Sequence, residues 1–596
     1  MQPLRIANCS GFWGDRASGA AEMVRGGPID VLTGDYLAEL TMAILAKQRA
    51  AGRGGFVGTF LTQLEEVLAE CLTRGIKIVS NAGGLDPRGL GAAIGALAQK
   101  LGVRARVAVV DGDDLVPRLG ELRAAGERFL HLDRGVGYDF GTGDPLTANA
   151  YLGGWGIAEA LGRGADVVVT GRVSDAALVV GPAAWKFGWA RDDWDRLAGA
   201  VAAGHIIECS AQATGGNYSF FEEVDWSKPL GFPIAEMHAD GSFVITKHPG
   251  TGGRVNVGTV TAQLLYEIDG ARYFNPDVVA RFDTITLVDE EGDRVRGSGT
   301  RGEPPPPTLK VAMNLAGGWR NAMTVRLCGL DLDDKANLVE QLVADVSGGR
   351  ERFTEWHVAL RRGAAEKDPR DNEAATAYLT VTVKSPDKAL VGKAWSSRIV
   401  GLSLSSVPGH SIAHPPADAT PFLVYWPALV DAARVPATLH FEGEAIAIAP
   451  SPTMPSADRA PIADAAPPPP SSGPTARVPL GRVFGTRSGD KGGNANLGIW
   501  ARAGRGADAA YAWLAHELTV DQLRALFPDL APYAVDRAML PNLHAVNFTI
   551  RGILGDGVAA STRSDPQAKT LGEYVRARIV ELPVETAKES TTEPRR

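Results

Sequence analysis

The sequence lacks any pair of cysteines at CxxC spacing. Its four, Cys9, Cys71, Cys209 and Cys328, are scattered along 596 residues, which excludes a disulfide framework and a zinc ribbon and fits a reducing compartment. No stretch of about 18 apolar residues occurs, so no membrane-spanning helix is expected. The N-terminal MQPLRIANCSGFWGDR reaches glycine and charge too soon for a signal peptide, and the expected location is cytoplasmic. Positive charge is not in excess either. With 61 Lys and Arg against 69 Asp and Glu, the net charge of -8 argues against nucleic acid or an anionic membrane as partner. What the chain has is length and apolar content: 45% hydrophobic side chains bury large cores, and two or three domains are expected.

The first part reads as strands that empty into polar loops. Leu4 to Asn8, Ile29 to Leu32, Ile76 to Ser80, Arg106 to Val110 and Asp166 to Val169 are short apolar runs, each followed by glycine and polar residues and then by a helix-compatible stretch. That order predicts an α/β fold, an open and mostly parallel sheet with helices on both faces, over about residues 1–230. Alternating runs such as Thr308 to Leu315, Met323 to Leu327 and Tyr378 to Val383 predict a mixed or antiparallel β region over about 231–448. The Pro, Ala and Ser-rich segment 449–477 reads as an extended, poorly ordered linker. A small α+β domain follows over 478–590, with Gly485 to Asn496 as a polar turn between two strands.

Open α/β sheets bind ligands beyond the carboxyl ends of their strands, so the loops carry the candidate chemistry. Thr170 to Asp175 offers Arg172, Ser174 and Asp175; Ser10 to Arg16 offers Asp15 and Arg16, a carboxylate and a guanidinium fork. Asn81, Gly83 and Gly84 precede a helix, where free N–H groups and the helix dipole suit a carboxylate or phosphate. That turn is neither a GxGxxG fingerprint nor a Walker loop, so it assigns no NAD or ATP, and the cofactor stays open. Asp35 reads as a helix cap, and Asp111, Asp113 and Asp114 as solvated carboxylates without calcium-loop spacing. No metal ligand set is assigned. Glu208, on a short apolar segment near His205 and Cys209, is a candidate acid/base group. Lys491, with Arg487 and Asp490 among glycines, is the anion-binding candidate of the C-terminal domain.

Taken together, Gly11 to Arg16, Thr33 to Glu39, Asn81 to Leu85, Thr170 to Asp175 and Ser488 to Gly492 resemble the acyclic terpene utilisation (AtuA-like) family over nearly the whole chain. The resemblance implies an N-terminal AtuA domain to about residue 448, a C-terminal ferredoxin-like domain, and a role in the breakdown of citronellol- and geraniol-type compounds through branched acyl-CoA intermediates. Gly493 stands where the family's C-terminal motif often has an acidic residue, which leaves the role of that turn open. The leading expectation is an enzyme of branched or isoprenoid acid catabolism, acting on an acyl-CoA or related carboxylate by hydration/dehydration or carbon–carbon cleavage. Asp15, Asp175 or Glu208 would be the base, the amides of Gly83 and Gly84 the oxyanion donors, and Arg16 or Arg172 the clamp. A homo-oligomer is expected. The alternative is a non-catalytic acyl-CoA-binding or scaffold subunit of a catabolic complex, which dispersed carboxylates on an open surface would favour.

Overall fold

The computed structural model describes residues 2–363, 368–462, 466–469, 473–504, 506–584 and 586. Two compact units emerge: one runs to Asn314 and takes in Tyr425–Val558 and the segment from Asp565 on, and the other comprises Leu315–Val424 with Ala559–Ser564.

In the first unit the apolar runs become the parallel strands β1 (Leu4–Asn8), β2 (Val31–Gly34), β3 (Lys77–Ser80), β4 (Val107–Asp111) and β5 (Val167–Thr170), in the order β1-β2-β3-β5-β4. Both faces of these strands are covered, which is why the runs are continuous rather than alternating. Ile6, Val31, Val79, Val110 and Val168 feed one core; Ala7, Leu32, Ile78, Val109 and Val169 feed the other. Helices α1 (Gly19–Gly26), α2 (Glu39–Ala50), α3 (Gly58–Arg74) and α4 (Pro87–Lys100) pack on the second face. Helices α5 (Trp155–Gly162), α6 (Ala177–Phe187) and α7 (Trp194–Ile207) pack on the first. Pro87 opens α4, and the Asp86 carboxylate caps it by accepting the Gly89 N–H at 2.9 Å.

The sheet is mixed, which corrects the expectation of a mostly parallel one. Four antiparallel strands extend it beyond β1: β6 (Pro233–Met237), β7 (Phe243–Lys247), β8 (Thr286–Glu290) and β9 (Arg294–Ser298), in the order β8-β9-β7-β6. Two more, β10 (Thr438–Phe441) and β11 (Glu444–Ala447), extend it beyond β4. Hairpin strands carry the same alternation wherever they dock, so sequence identifies them as strands without saying that they complete the edges of the parallel sheet.

The C-terminal part of this unit is an antiparallel sheet of β12 (Phe484–Lys491), β13 (Asn494–Ala501), β14 (Val535–Leu540) and β15 (Ala545–Ile550), in the order β12-β13-β15-β14. The expected polar turn over 485–496 is mostly strand; only Gly492-Gly493 turns, between the paired Lys491 and Asn494. Polarity there marks a face, not a loop. Leu497, Ile499, Val546, Phe548 and Ile550 pack under the helix Ala507–Glu517, while Asn496, Asn547 and Thr549 grip the backbone of residues 265–269. Asn496 Nδ2 donates to the Leu265 carbonyl at 2.7 Å and its Oδ1 accepts the Glu267 N–H at 2.8 Å. Asn547 Nδ2 donates to the Ile268 carbonyl at 3.1 Å, and Thr549 Oγ1 to that of Asp269 at 3.0 Å. Glycines allow this approach: a Cβ on Gly498 would lie 2.6 Å from Leu265 Cβ, and one on Gly489 2.5 Å from Tyr266 Cε2. Gly498→Ala is therefore expected to cost about 1–3 kcal/mol by overpacking, read as a lower urea midpoint. A midpoint equal to that of the parent would refute the tight seating.

Within the described residues of 449–477, Trp155 Nε1 donates to Ser451 Oγ at 3.0 Å, the Met454 N–H bonds the Pro305 carbonyl at 2.8 Å, and Arg459 pairs with Glu303 at 2.9 Å. Residues 463–465 and 470–472 of that segment lie outside the described residues. The second unit is antiparallel: Thr376–Ser385 pairs with Glu355–Arg361 and with residues 319–328, and the helices Leu332–Ser347 and Lys393–Val400 cover its apolar face. Among the described residues no helix is long and apolar enough to cross a membrane.

Candidate functional site

The loops after β1, β2, β3 and β5 close on one another through buried polar side chains. Asn8, at the end of β1, donates to the carbonyls of Ile207 and Glu208 at 2.7 and 3.1 Å, tying the last turn of α7 to the sheet. Gly11 makes the contact possible, since a Cβ there would lie 2.9 Å from the Glu208 carbonyl oxygen. Asp35, after β2, accepts from Asn81 Nδ2 at 2.6 Å and from the Leu37 N–H at 3.2 Å; Asn81 in turn accepts the Tyr36 N–H at 2.8 Å. Arg172, after β5, is 4% exposed at its side chain and donates to Asp175 at 2.5 Å, while its guanidinium lies 4.1 Å over the Tyr151 ring. Asp175 stands close enough to act on the ionisation of Asp35 and Glu208, and Glu208 on that of Asp35.

A second set of groups faces this one. Glu39 begins α2, and its Oε1 accepts from Tyr151 OH at 3.0 Å, Tyr425 OH at 3.2 Å and Lys310 Nζ at 3.4 Å. Glu267 sits in the left-handed region, φ 55°, with its N–H bonded by Asn496 and its carbonyl accepting Lys491 Nζ at 2.8 Å. Lys569 reaches Glu267 Oε1 at 3.4 Å and bonds the Tyr266 hydroxyl. A non-glycine residue held at positive φ by bonds from another sheet is strained in place. The centre is a hollow rather than a sealed core: the side chains of Asp175, Glu39, Lys310, Glu267 and Lys569 retain 27, 31, 32, 34 and 37% exposure.

Neighbouring acids in this hollow are driven apart in strength. Burial, opposed and outweighed by Lys310 and Arg172, leaves Glu39 down at about 2. Burial and the Glu39 charge push Glu267 up to about 7. Burial and the Asp175 charge hold Asp35 and Glu208 well above the usual carboxylate range, and burial with Glu267 does the same to Asp490. His205, whose Nδ1 lies 3.1 Å from Glu208 Oε1, is lowered to about 4 by burial and Lys491, so it is neutral at pH 7. Acids of opposite protonation in one cleft are the usual arrangement for proton transfer. Among the described residues no three His, Cys, Asp or Glu side chains are grouped to hold a metal ion.

Of the residues singled out from sequence, Asp175, Glu208, Asn81, Arg172 and Lys491 belong to this hollow. Ser174 is buried beside it, its Oγ without a partner among the described residues. Asp15 instead closes its own turn, accepting the N–H groups of Gly11 and Arg16 at 2.9 and 2.7 Å, and Arg16 pairs with Glu22 at 2.7 Å over the Phe232 ring. Gly83 and Gly84 form a tightly packed turn. A Cβ on Gly83 would lie 2.4 Å from the Thr170 carbonyl oxygen, and the Gly84 N–H is taken by the Asn81 carbonyl at 3.2 Å. Sequence reasoning missed Glu39, Tyr151, Glu267, Lys310, Tyr425 and Lys569, and made Asp35 a cap. One signal was available: Lys310 is the single charge in the run Thr308 to Leu315, where it needs a partner.

Asp113 is also more than a solvated loop carboxylate. It is 2% exposed, accepts the Arg172 N–H at 2.9 Å and Asn149 Nδ2 at 2.8 Å, and burial pushes it up to about 7. An acid raised on folding binds more protons in the native state, so its contribution is full below about pH 4 and is lost as pH rises to about 7. Asp113→Asn is expected to remove that loss. Its stability relative to the parent rises by up to about 4 kcal/mol between pH 4 and 8 in urea titrations. A difference that stays flat with pH would show Asp113 ionised in the fold.

Two family models match the chain: the acyclic terpene utilisation family protein AtuA over residues 4–441 and the AtuA ferredoxin-like domain over 478–581. Neither a curated protein nor a solved structure matches it.

Proposed function

Because the chain belongs to the acyclic terpene utilisation family, we propose that the hollow is the active site of an enzyme of branched or isoprenoid acid catabolism. The substrate is an acyl-CoA or related carboxylate, and the reaction is hydration/dehydration or carbon–carbon cleavage next to its carbonyl. The observation that carries this reading is the convergence of Asp35, Asp175, Glu208 and Glu267 with Arg172 and Lys310 in one hollow, in place of carboxylates dispersed over an open surface. Ionised Glu39 and the Tyr425 hydroxyl fix the Lys310 ammonium, which in that position polarises a carbonyl oxygen. Glu267, accessible and with a pKa of about 7, carries the proton: in dehydration it takes the α-proton as a base and returns it to the departing hydroxyl, which leaves as water, hydration being the reverse; in cleavage it takes the β-hydroxyl proton and returns it to the α-carbon of the enolate held at Lys310. Arg172 holds Asp175 and, through it, the buried acids.

The test is to incubate the purified chain with branched and straight acyl-CoA thioesters, their free acids and free CoA, following both the thermal midpoint and turnover. A thioester that raises the midpoint and is consumed, with both effects lost in Lys310→Met, is expected. No shift and no turnover with any thioester or acid would sink the reading; a shift without turnover would leave a binding subunit.

A further inference from the structure

The cations of the hollow are not equally neutralised. Lys310 and Arg172 each face a carboxylate, Glu39 and Asp175. Of the three basic side chains supplied after residue 478, Lys569 alone faces a carboxylate among the described residues. Arg487, on β12, is 6% exposed, and it forms no ion pair among the described residues. Its Nη1 reaches the Asn217 carbonyl at 3.4 Å, its guanidinium stacks 4.4 Å from the Tyr266 ring centre, and Nε and Nη2 have no partner among the described residues. Those two nitrogens form the side of the guanidinium that grips a carboxylate or phosphate with two parallel bonds. Lys491 spends its ammonium on the neutral Glu267 carbonyl. Lys569 has one acidic neighbour, Glu267 at 3.4 Å, and its side chain is 37% exposed. Leaving buried positive charge unmatched is costly, and proteins keep such charge where a ligand supplies the match.

We propose that Lys569, Arg487 and Lys491 form an anion subsite on the C-terminal-domain side of the hollow, which takes an oxyanion of the bound molecule, a carboxylate or a phosphate. The inference rests on the hollow being the ligand-binding centre and adds that its ligand carries a negative group besides the carbonyl placed at Lys310. Accessible Lys569 is the first contact, and Arg487 behind it fixes the sign of the potential. The C-terminal domain thereby does two things: it locks the backbone of Glu267 and supplies the charge that recognises the ligand.

Titration calorimetry of the full chain at constant ionic strength, with inorganic phosphate and with malonate as probes, tests this. At least one probe is expected to saturate, and Lys569→Met to weaken it by about tenfold or more. Lys569→Arg should bind within about threefold of the parent. Saturation by phosphate alone assigns the subsite to a phosphate; saturation by malonate alone assigns it to a carboxylate. If neither probe binds, or if Lys569→Met binds both as the parent does, the subsite does not exist. Binding that is lost in Lys569→Met while no thioester is turned over would retain the subsite and remove the proposed reaction. Turnover with an unchanged KM in Lys569→Met would do the reverse.

Discussion

Glu267→Gln is expected to lower kcat by about 10²–10⁴-fold while leaving the fold in place. Glutamine keeps the size and polarity of the side chain and loses only the ionisable proton. The backbone stays where it is, because its left-handed conformation is fixed from outside by Asn496 on the N–H and Lys491 on the carbonyl, and neither bond involves the side chain. The pH–rate profile makes the result specific. Burial and the Glu39 charge place Glu267 at about 7, so a limb of the parent's profile near neutral pH should vanish in the variant, whereas a loss through misfolding would scale the whole profile down. A kcat within about threefold of the parent would remove Glu267 from the chemistry and return the assignment to Glu208.

That Glu267 was invisible in the sequence has a physical reason. Strands whose two faces are both buried announce themselves as apolar runs, and the loops that follow them announce ligand chemistry, so β1, β2, β3 and β5 and the residues Arg172, Asp175 and Asn81 were legible. Glu267 lies in a short connection after the helix Val257–Leu264, with no strand pattern to mark it. Its importance comes from a sheet more than 200 residues away in the chain that bonds its backbone. The same long-range pairing explains the misreading of 485–496. Glycine, serine and asparagine are turn formers when they are solvated, but in β12 and β13 they are the flat polar face that lets one sheet lie against another segment. Asp35 illustrates a third limit. A carboxylate at the mouth of a helix is a cap by local rules, and only the fold shows Asp175 and Glu208 gathered beside it.

The grouping of Asp35 and Asp175 around Arg172 carries a prediction that separates shared from private partners. Asp35→Asn alone is expected to be nearly neutral in stability, within about 1 kcal/mol, because burial and Asp175 already hold Asp35 protonated and asparagine can accept the same bonds from Asn81 and Leu37. Asp175→Asn alone is expected to cost only about 1–2 kcal/mol, although it removes the ion pair of a guanidinium that is 4% exposed. Asp175 is one of the charges holding Asp35 neutral, so once it is gone the Asp35 pKa falls towards its ordinary range and Asp35 ionises beside Arg172 in its place. The double variant has no such reserve. Arg172 is left with the Tyr151 ring, the Leu37 carbonyl and the charge of Glu39 across the hollow, and the loss should reach about 3–5 kcal/mol, more than the sum of the singles by over about 1 kcal/mol. Urea denaturation at pH 7 of the four proteins closes the cycle. Lowering the pH towards 4 sharpens it: protonating Asp35 in the Asp175→Asn variant takes the substitute charge away, so the cost of that single change should climb towards that of the pair. Strict additivity at every pH would mean that Asp35 never carries the charge in place of Asp175.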